Sequence, residues 1–311
     1  MKYFLAIAVI AVGLSIGFWV VSQGDTTDNL AKPSISSEGT EKEFLPAVEP
    51  SLSIRPDSII QGEPLLVSVQ DLSPEEGVQS ISFNNKKLDI FSLNSEPSVL
   101  VGIDLRMQTG TYPLVATLST GEILRKDIRI APRDIVVEDF DIPKKLGGNT
   151  PEAEKELINT LVQEAVIMNA IPSAREKLWD SAFRMPLSGE PEVTSVYGYS
   201  RSTVGSRLSH KGTDFRAPVG TPVYAMNSGV VRFKDSMRNY GNTVVIDHGL
   251  GLQTVYMHLS EMLVEEGQEV TKGQLIGKSG DTGYVLGPHL HLSVRINYIS
   301  IDPMKFIEIF G

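Results

Sequence analysis

Near the C-terminus the stretch Gly287–Pro288–His289–Leu290–His291 opens a run in which Leu290, Leu292, Val294 and Ile296 alternate with more polar neighbours. A period of two predicts a half-buried strand. Residues two apart on a strand share a face, so His289 and His291 point one way while Leu290 and Leu292 point the other. Two imidazoles on one face are costly in a plain core and useful to a metal ion. The chain has five histidines, His210, His248, His258, His289 and His291, and all fall in its last third.

Composition narrows the chemistry that these histidines can serve. There is no cysteine among the 311 residues. Disulfides, thiolate metal sites, a cysteine nucleophile and a lipid-modified cysteine are therefore excluded, and a metal site must be built from His, Asp or Glu. The formal net charge of -10 argues against a sequence-independent grip on nucleic acid. The chain is 41% hydrophobic and 21% charged, an ordinary globular balance with room for two small domains.

Residues 1–23 read as a membrane element. After Lys2 an uncharged apolar run extends from Tyr3 to Val21, and nineteen residues in a helix span roughly 28 Å, close to the hydrocarbon thickness. The run is longer than a usual signal-peptide core and Val20–Val21–Ser22 makes a poor cleavage site. It reads as a retained signal anchor, with a cleaved signal peptide as the alternative. Lys2 before the run and Asp25 and Asp28 after it put the N-terminus in the cytoplasm and the rest outside. Residues 24–50, rich in Ser, Thr, Glu, Asp and Pro, read as a disordered linker.

The fold class expected beyond this point is mainly β. Residues 51–132 carry short alternating runs separated by turn signals such as Asn84–Asn85 and Thr120–Gly121, which predicts an Ig-like β-sandwich acting as a spacer or docking module. Residues 133–183 form a connector containing one helix over residues 150–171. Thr150 is its cap, Pro151 and three glutamates occupy its first turns, Leu157, Leu161, Ala165 and Met168 make an apolar stripe, and Pro172 stops it. Residues 184–311 are glycine-punctuated and rich in strand patterns, with His248–Gly249–Leu250–Gly251 as a hairpin turn. They predict an antiparallel β domain. The segment Gly267–Gln268–Glu269–Val270–Thr271–Lys272–Gly273 has the glycine spacing of carrier-domain hairpins, but Lys272 lacks a carrier-lysine context, so only β architecture is read from it.

Three clusters carry chemistry. His210 and Asp214 lie four apart in His210–Lys211–Gly212–Thr213–Asp214, where Gly212, Pro218 and Gly220 argue against a helix and for a loop or strand start. His258 lies in Tyr256–Met257–His258–Leu259, at a strand end, and His289 and His291 form the third cluster. A catalytic zinc needs three protein ligands and an open position. Four histidines and one carboxylate leave two imidazoles over to move protons and stabilise an oxyanion. Spacing alone does not say which of His289 and His291 would be the ligand.

Residues 184–303 resemble the lysostaphin-type (LytM-like) zinc metallopeptidases. The family's His-x-x-x-Asp motif matches His210 and Asp214, its His-x-His motif matches His289 and His291, and its upstream Tyr-x-His-Leu segment matches His258. Gly212–Thr213–Asp214–Phe215, Asp247–His248–Gly249 and Gly273–Gln274–Leu275–Ile276–Gly277 agree as well. The resemblance implies one Zn2+ per domain held by His210, Asp214 and His291, with His258 and His289 as the catalytic helpers. It implies hydrolysis of peptide bonds in bacterial peptidoglycan, in the cell envelope and facing the periplasm if the anchor is retained, or secretion if it is cleaved. His248 matches no position that the family uses for chemistry and reads as structural, while Asn242 and Tyr197 are candidates to line the substrate groove that read equally as a turn residue and a core aromatic.

A second class of function is a non-catalytic murein-binding scaffold or an activator of another cell-wall hydrolase. Other envelope proteins would then meet the β domain or the helix. The long segment ahead of the histidines also raises autoinhibition, with the β domain or helix occluding the groove.

Overall fold

The computed structural model describes residues 48–139, 142–202 and 207–311. The expected membrane element and most of the expected linker lie outside the described residues. Among the described residues no helix is long and apolar enough to cross a membrane.

The protein is mainly β. Its N-terminal part has two sheets. One orders strands Ser51–Arg55, Pro64–Gln70, Glu96–Gly102 and Phe91–Leu93, and the other Ile59–Ile60, Ile123–Ala131, Gly110–Leu118, Val78–Phe83 and Lys86–Lys87. Alternate residues of both, including Leu65, Val67, Ile81, Val99, Leu114 and Ile128, meet in one buried cluster. The turn at Asn84 and Asn85 has both residues at positive φ, 49° and 62°, the left-handed pair that a two-residue hairpin requires.

Helix α1 spans Pro151–Ala170 with Thr150 as its cap, whose hydroxyl accepts from the Ala153 amide at 3.2 Å. Of the expected stripe, Leu157 and Met168 are buried and Leu161 and Ala165 half-buried. Two glutamates, Glu154 and Glu164, are buried as well.

The C-terminal part is built on a ten-stranded sheet. Its central order is Val193–Ser195, Thr213–Arg216, His289–Ile296, Leu252–Met262, Gly241–Gly249, Gly229–Met237 and Glu269–Val270, and every pairing in it is antiparallel. One face carries Val244, Ile246, Tyr256, Leu290, Leu292, Val294 and Ile296 into the main core. The other face carries Val245, Val255 and Met257, over which α1 lays Met168 and the residue after it, Ile171.

A C-terminal helix, α2, Pro303–Phe310, was not anticipated from the sequence. Asp302 caps it through Met304 N at 3.0 Å, Pro303 occupies its first turn, and Phe306 and Phe310 pack against Phe183. Residues 48–311 form one compact unit. The main core includes Leu66, Phe91 and Leu100 of the N-terminal sheets, with Phe91 edge-on to Trp179 at 5.4 Å. Arg133 pairs with Asp302 at 3.1 Å across the same junction.

Asp247 ties the connector to the sheet. This fully buried carboxylate accepts from Ser173 Oγ at 2.5 Å, Ala174 N at 2.8 Å and Gly249 N at 2.9 Å, with Arg232 Nε 3.4 Å away. Removing one partner of such a buried set leaves the others unsatisfied. Asp247→Ala is expected to lower the urea-unfolding free energy by about 3 kcal/mol or more. A loss under about 1 kcal/mol would show that the anchor is dispensable.

Candidate metal centre

The register of three neighbouring strands assembles the site. Asp214 pairs with His291 and Arg216 with His289, while Met257 pairs with His291 from the other side. Because Leu290 and Leu292 enter the core, His289 and His291 stand on the opposite face, as the alternation predicts. His210 reaches in from the turn that precedes strand Thr213–Arg216.

His258 arrives differently from the expectation. The strand does not end there but runs on to Met262, with a bulge between its pairings Tyr256↔Val244 and Leu259↔Asn242. Tyr256 and Leu259 both enter the main core although they lie three apart. In an unbroken strand His258 would follow Tyr256 into that core. The extra residue of the bulge turns it onto the site face, and its φ of 62° is the strained left-handed conformation.

His210 Nε2, Asp214 Oδ1 and His291 Nδ1 converge. His210 Nε2 lies 3.0 Å from both Asp214 Oδ1 and His291 Nδ1, and His291 Nδ1 lies 2.7 Å from Asp214 Oδ1. All three residues are at least nine-tenths buried. The outer partners decide the tautomers. His210 Nδ1 is 2.9 Å from Val196 O, an obligate acceptor, so that nitrogen carries the proton and Nε2 presents a lone pair. Ser293 Oγ donates to Lys211 O at 2.8 Å and is 3.0 Å from His291 Nε2, so it accepts from that nitrogen and leaves Nδ1 as a lone pair. Two imidazole lone pairs and a carboxylate oxygen thus face one another at hydrogen-bond distance. Such a set repels itself unless a cation sits among the three. Two nitrogens, one oxygen and an open side match the donor set of a catalytic metal site, and outer hydrogen bonds of this kind are what orient ligands. His210, Asp214 and His291 are the residues that can hold a metal ion.

Electrostatics point the same way. Burial pushes His291 down to about 4 against the pull of Asp214, which keeps Nδ1 unprotonated at neutral pH.

The other two imidazoles border this set without joining it. His289 Nε2 is 3.7 Å from Asp214 Oδ1, and the His258 ring lies 4.8 Å from the His289 ring and 5.9 Å from that of His291. His289 Nδ1 bonds Gly287 O at 2.9 Å and His258 Nδ1 bonds Thr282 O at 3.0 Å, so both present Nε2 as an acceptor. Burial, with His289 and His291 beside it, holds His258 well below the ordinary imidazole range. A small cleft of about 120 Å³ opens over Asp214, His258, His289 and His291, walled by Tyr284 and Leu286. A larger cavity of about 620 Å³ leads from His210 and His291 toward α1 and Arg106. Sequence reasoning passed over Tyr284, which lines both; its only sequence cue is its place in the glycine-rich turn before the His-x-His strand.

His248 lies elsewhere. It is fully buried, bonded to Ser228 O at 2.7 Å and Thr254 Oγ1 at 2.8 Å, with its ring edge-on to Phe183. Tyr197 is a core aromatic whose hydroxyl donates to Ser300 O at 2.7 Å, and Asn242 donates to Leu259 O at 2.9 Å.

Comparison with known proteins agrees with this geometry. The model of Peptidase family M23 matches residues 208–303. The peptidoglycan DD-endopeptidase ShyA of Vibrio cholerae is 36% identical over 187 residues, 58% of this chain and 44% of that protein. The DD-carboxypeptidase/endopeptidase Mpg of Neisseria meningitidis is 42% identical over 114 residues, 36% of this chain and 26% of that protein. This chain therefore spans less than half the length of either relative. A crystal structure from Pseudomonas aeruginosa assigned to peptidase M23 superposes with a TM-score of 0.58 at 24% identity, covering 82% of this chain and 97% of that one, a likeness of fold.

Two outcomes follow for this part of the molecule. A Cβ on Gly212 would lie 2.4 Å from His291 Nε2 and 2.4 Å from Leu292 O. Gly212→Ala is expected to displace the His291 ring and weaken metal affinity about 10- to 100-fold in chelator-competition titrations, and an unchanged affinity would refute this account of the ring's support. Burial lowers His248 to about 4. The unfolded state therefore takes up a proton near pH 6.5 that the folded state refuses until about 4, and stability falls as pH drops through that window. His248→Gln is expected to remove about 3 kcal/mol of that fall, read as the difference between the two proteins' pH–stability curves.

Proposed function

We propose, from the premise that this chain carries a domain belonging to peptidase family M23 over residues 208–303, that the protein is a zinc-dependent endopeptidase hydrolysing peptide bonds in bacterial peptidoglycan. The observation that carries this reading is the convergence of three lone-pair donors beside two further imidazoles with free Nε2 atoms. His210, Asp214 and His291 would hold the zinc. Bound there, zinc supplies Lewis acidity toward a peptide carbonyl and makes hydroxide available near neutral pH.

The chain's own residues supply the rest. His258, neutral because burial and its imidazole neighbours depress it, accepts a proton at Nε2 from the attacking water and returns it to the leaving amine. Once it has taken that proton, His258 can donate from Nε2 to the developing oxyanion, and His289 borders the same cleft. The Thr282 and Gly287 carbonyls fix both rings by their Nδ1 protons, so the productive tautomers exist before substrate arrives. The cleft of about 120 Å³ that both rings line is where the substrate peptide would meet them. Murein as substrate places the domain in the cell envelope, outside the cytoplasm. A membrane-held N-terminus with envelope partners at the β domain or α1 belongs to the same proposal.

The test is digestion of purified peptidoglycan by the protein, with released muropeptides read by mass spectrometry. Cleavage is expected to vanish on chelation and return with zinc. His291→Ala, which removes one of three metal ligands, is expected to lower turnover by about 10³-fold or more. A folded, zinc-loaded protein that releases no muropeptides would leave two readings, an occluded groove or the murein-binding scaffold, and a chain beginning near Arg184 that is equally inactive would sink the peptidase reading.

A further inference from the structure

Loops within the family-matched segment hold the His258 bulge in place, and one of them is bonded to α1, which lies outside that segment. His258 has two fixed points besides its own strand. Its amide donates to Tyr240 O at 3.0 Å, and its Nδ1 donates to Thr282 O at 3.0 Å. The loops that carry these two carbonyls are locked to each other. Tyr284 N donates to Asn239 O at 2.8 Å, and Asn242 N donates to Thr282 Oγ1 at 3.0 Å. Gly241 and Gly283 let the backbones touch, since a Cβ on Gly283 would lie 2.4 Å from Gly241 N. A shift at Asn239 therefore moves both supports of His258 together.

Asn239 is in turn held by α1. Its backbone amide donates to Glu164 Oε1 at 2.8 Å, and its side-chain amide donates to Thr160 Oγ1 at 2.8 Å. Glu164 and Asn239 are almost fully buried, with 5% and 2% of their surface exposed. Among the described residues Glu164 Oε2 has no hydrogen-bond partner. A buried carboxylate with one oxygen unsatisfied costs stability. What Glu164 secures in exchange is the backbone of the loop that carries the His258 acceptor.

We propose that Glu164 of α1, assisted by Thr160, is a positioning residue for His258: it fixes Asn239, and through it the 239–242 and 282–284 loops that hold the His258 backbone and ring. This rests on the peptidase reading for the role of His258 but on this chain's own hydrogen bonds for the coupling. The left-handed His258 persists because its surroundings over-determine it, so loosening one support lets the ring drift from its catalytic placement.

The test uses the full chain with Glu164→Leu and Glu164→Gln. Glutamine keeps the acceptor oxygen, and leucine removes it at similar volume. In Glu164→Leu, kcat on peptidoglycan fragments is expected to fall about 10²-fold, the scale of a small misplacement of a reacting group, with KM and zinc content unchanged. Glu164→Gln is expected to keep the wild-type kcat. Amide hydrogen exchange, followed by NMR, is the readout independent of activity. Exchange at His258 and Tyr284 is expected to quicken about tenfold or more in Glu164→Leu, while Leu66 and Val99 in the N-terminal sheets stay protected. If Glu164→Leu fails to fold, Thr160→Val replaces it with the same expected directions. Unchanged exchange at His258, or a Glu164→Gln variant as slow as Glu164→Leu, overturns the proposal. If the wild type itself releases no muropeptides, the exchange measurement alone still decides the coupling.

Discussion

Three electron-rich atoms forced together explain much of what surrounds them. His210 Nε2, Asp214 Oδ1 and His291 Nδ1 lie 2.7–3.0 Å apart, and their mutual repulsion must be resisted by something other than themselves. The resistance comes from the far side of each ring. Val196 O takes the His210 proton, and the Ser293 hydroxyl, committed to Lys211 O, takes that of His291. Burial adds to it by keeping His291 neutral. The site is thereby organised for a cation, since the tautomers that serve a metal are the ones the outer hydrogen bonds select.

Placing two further imidazoles next to such a cluster is a backbone problem. A regular antiparallel strand would bury His258 on the core face with Tyr256. The bulge corrects this at the cost of a left-handed histidine, and the cost is offset by bonds from two loops. One of those loops leans on α1. The sequence suggested a different part for this helix, as a lid that keeps the groove closed. Lifting α1 away would also break the Glu164 and Thr160 bonds to Asn239. Under the positioning proposal, an opening motion that carries α1 with it would disturb the group it is meant to release.

The legible parts of the molecule were those encoded by local period and local caps. The two-residue alternation around Leu290 and Leu292 placed His289 and His291 on one face, and the Thr150–Pro151 start with Pro172 beyond the end bracketed α1 to within a residue or so. The grouping of His210, Asp214 and His291 came from family likeness, and its physical basis is a register between strands far apart in the chain. The bulge at His258 had no local signature at all, because a bulge is defined by the partner strand that it opposes. Glu164 gave no signal in the sequence, since nothing in its neighbourhood along the chain announces that Asn239 will close over it. Helix α2 was different. Its Asp302–Pro303 start is a cap that could have been read, and it was hidden behind the expectation of a mostly antiparallel β domain with little helix.

The second face of the large sheet shows why the helix and the histidine-bearing strands share one unit. On the histidine strand that face is polar, with His289, His291 and Ser293. On the two strands next to it, directly beside these residues, it is apolar, with Val245, Val255 and Met257. An antiparallel sheet can leave a polar face to water, but the apolar half needs a cover. Met168 and Ile171 provide it. Arg295, from the histidine strand itself, bonds Met168 O at 2.8 Å and the Asn169 side chain at 2.6 Å, which satisfies carbonyl and amide groups at the helix end. The helix that covers the apolar half is thus fixed at its C-terminal end to the strand bearing His289 and His291, and at its middle to the loop supporting His258. A covering element placed there for packing is, by the same contacts, in a position to set the geometry of the histidines.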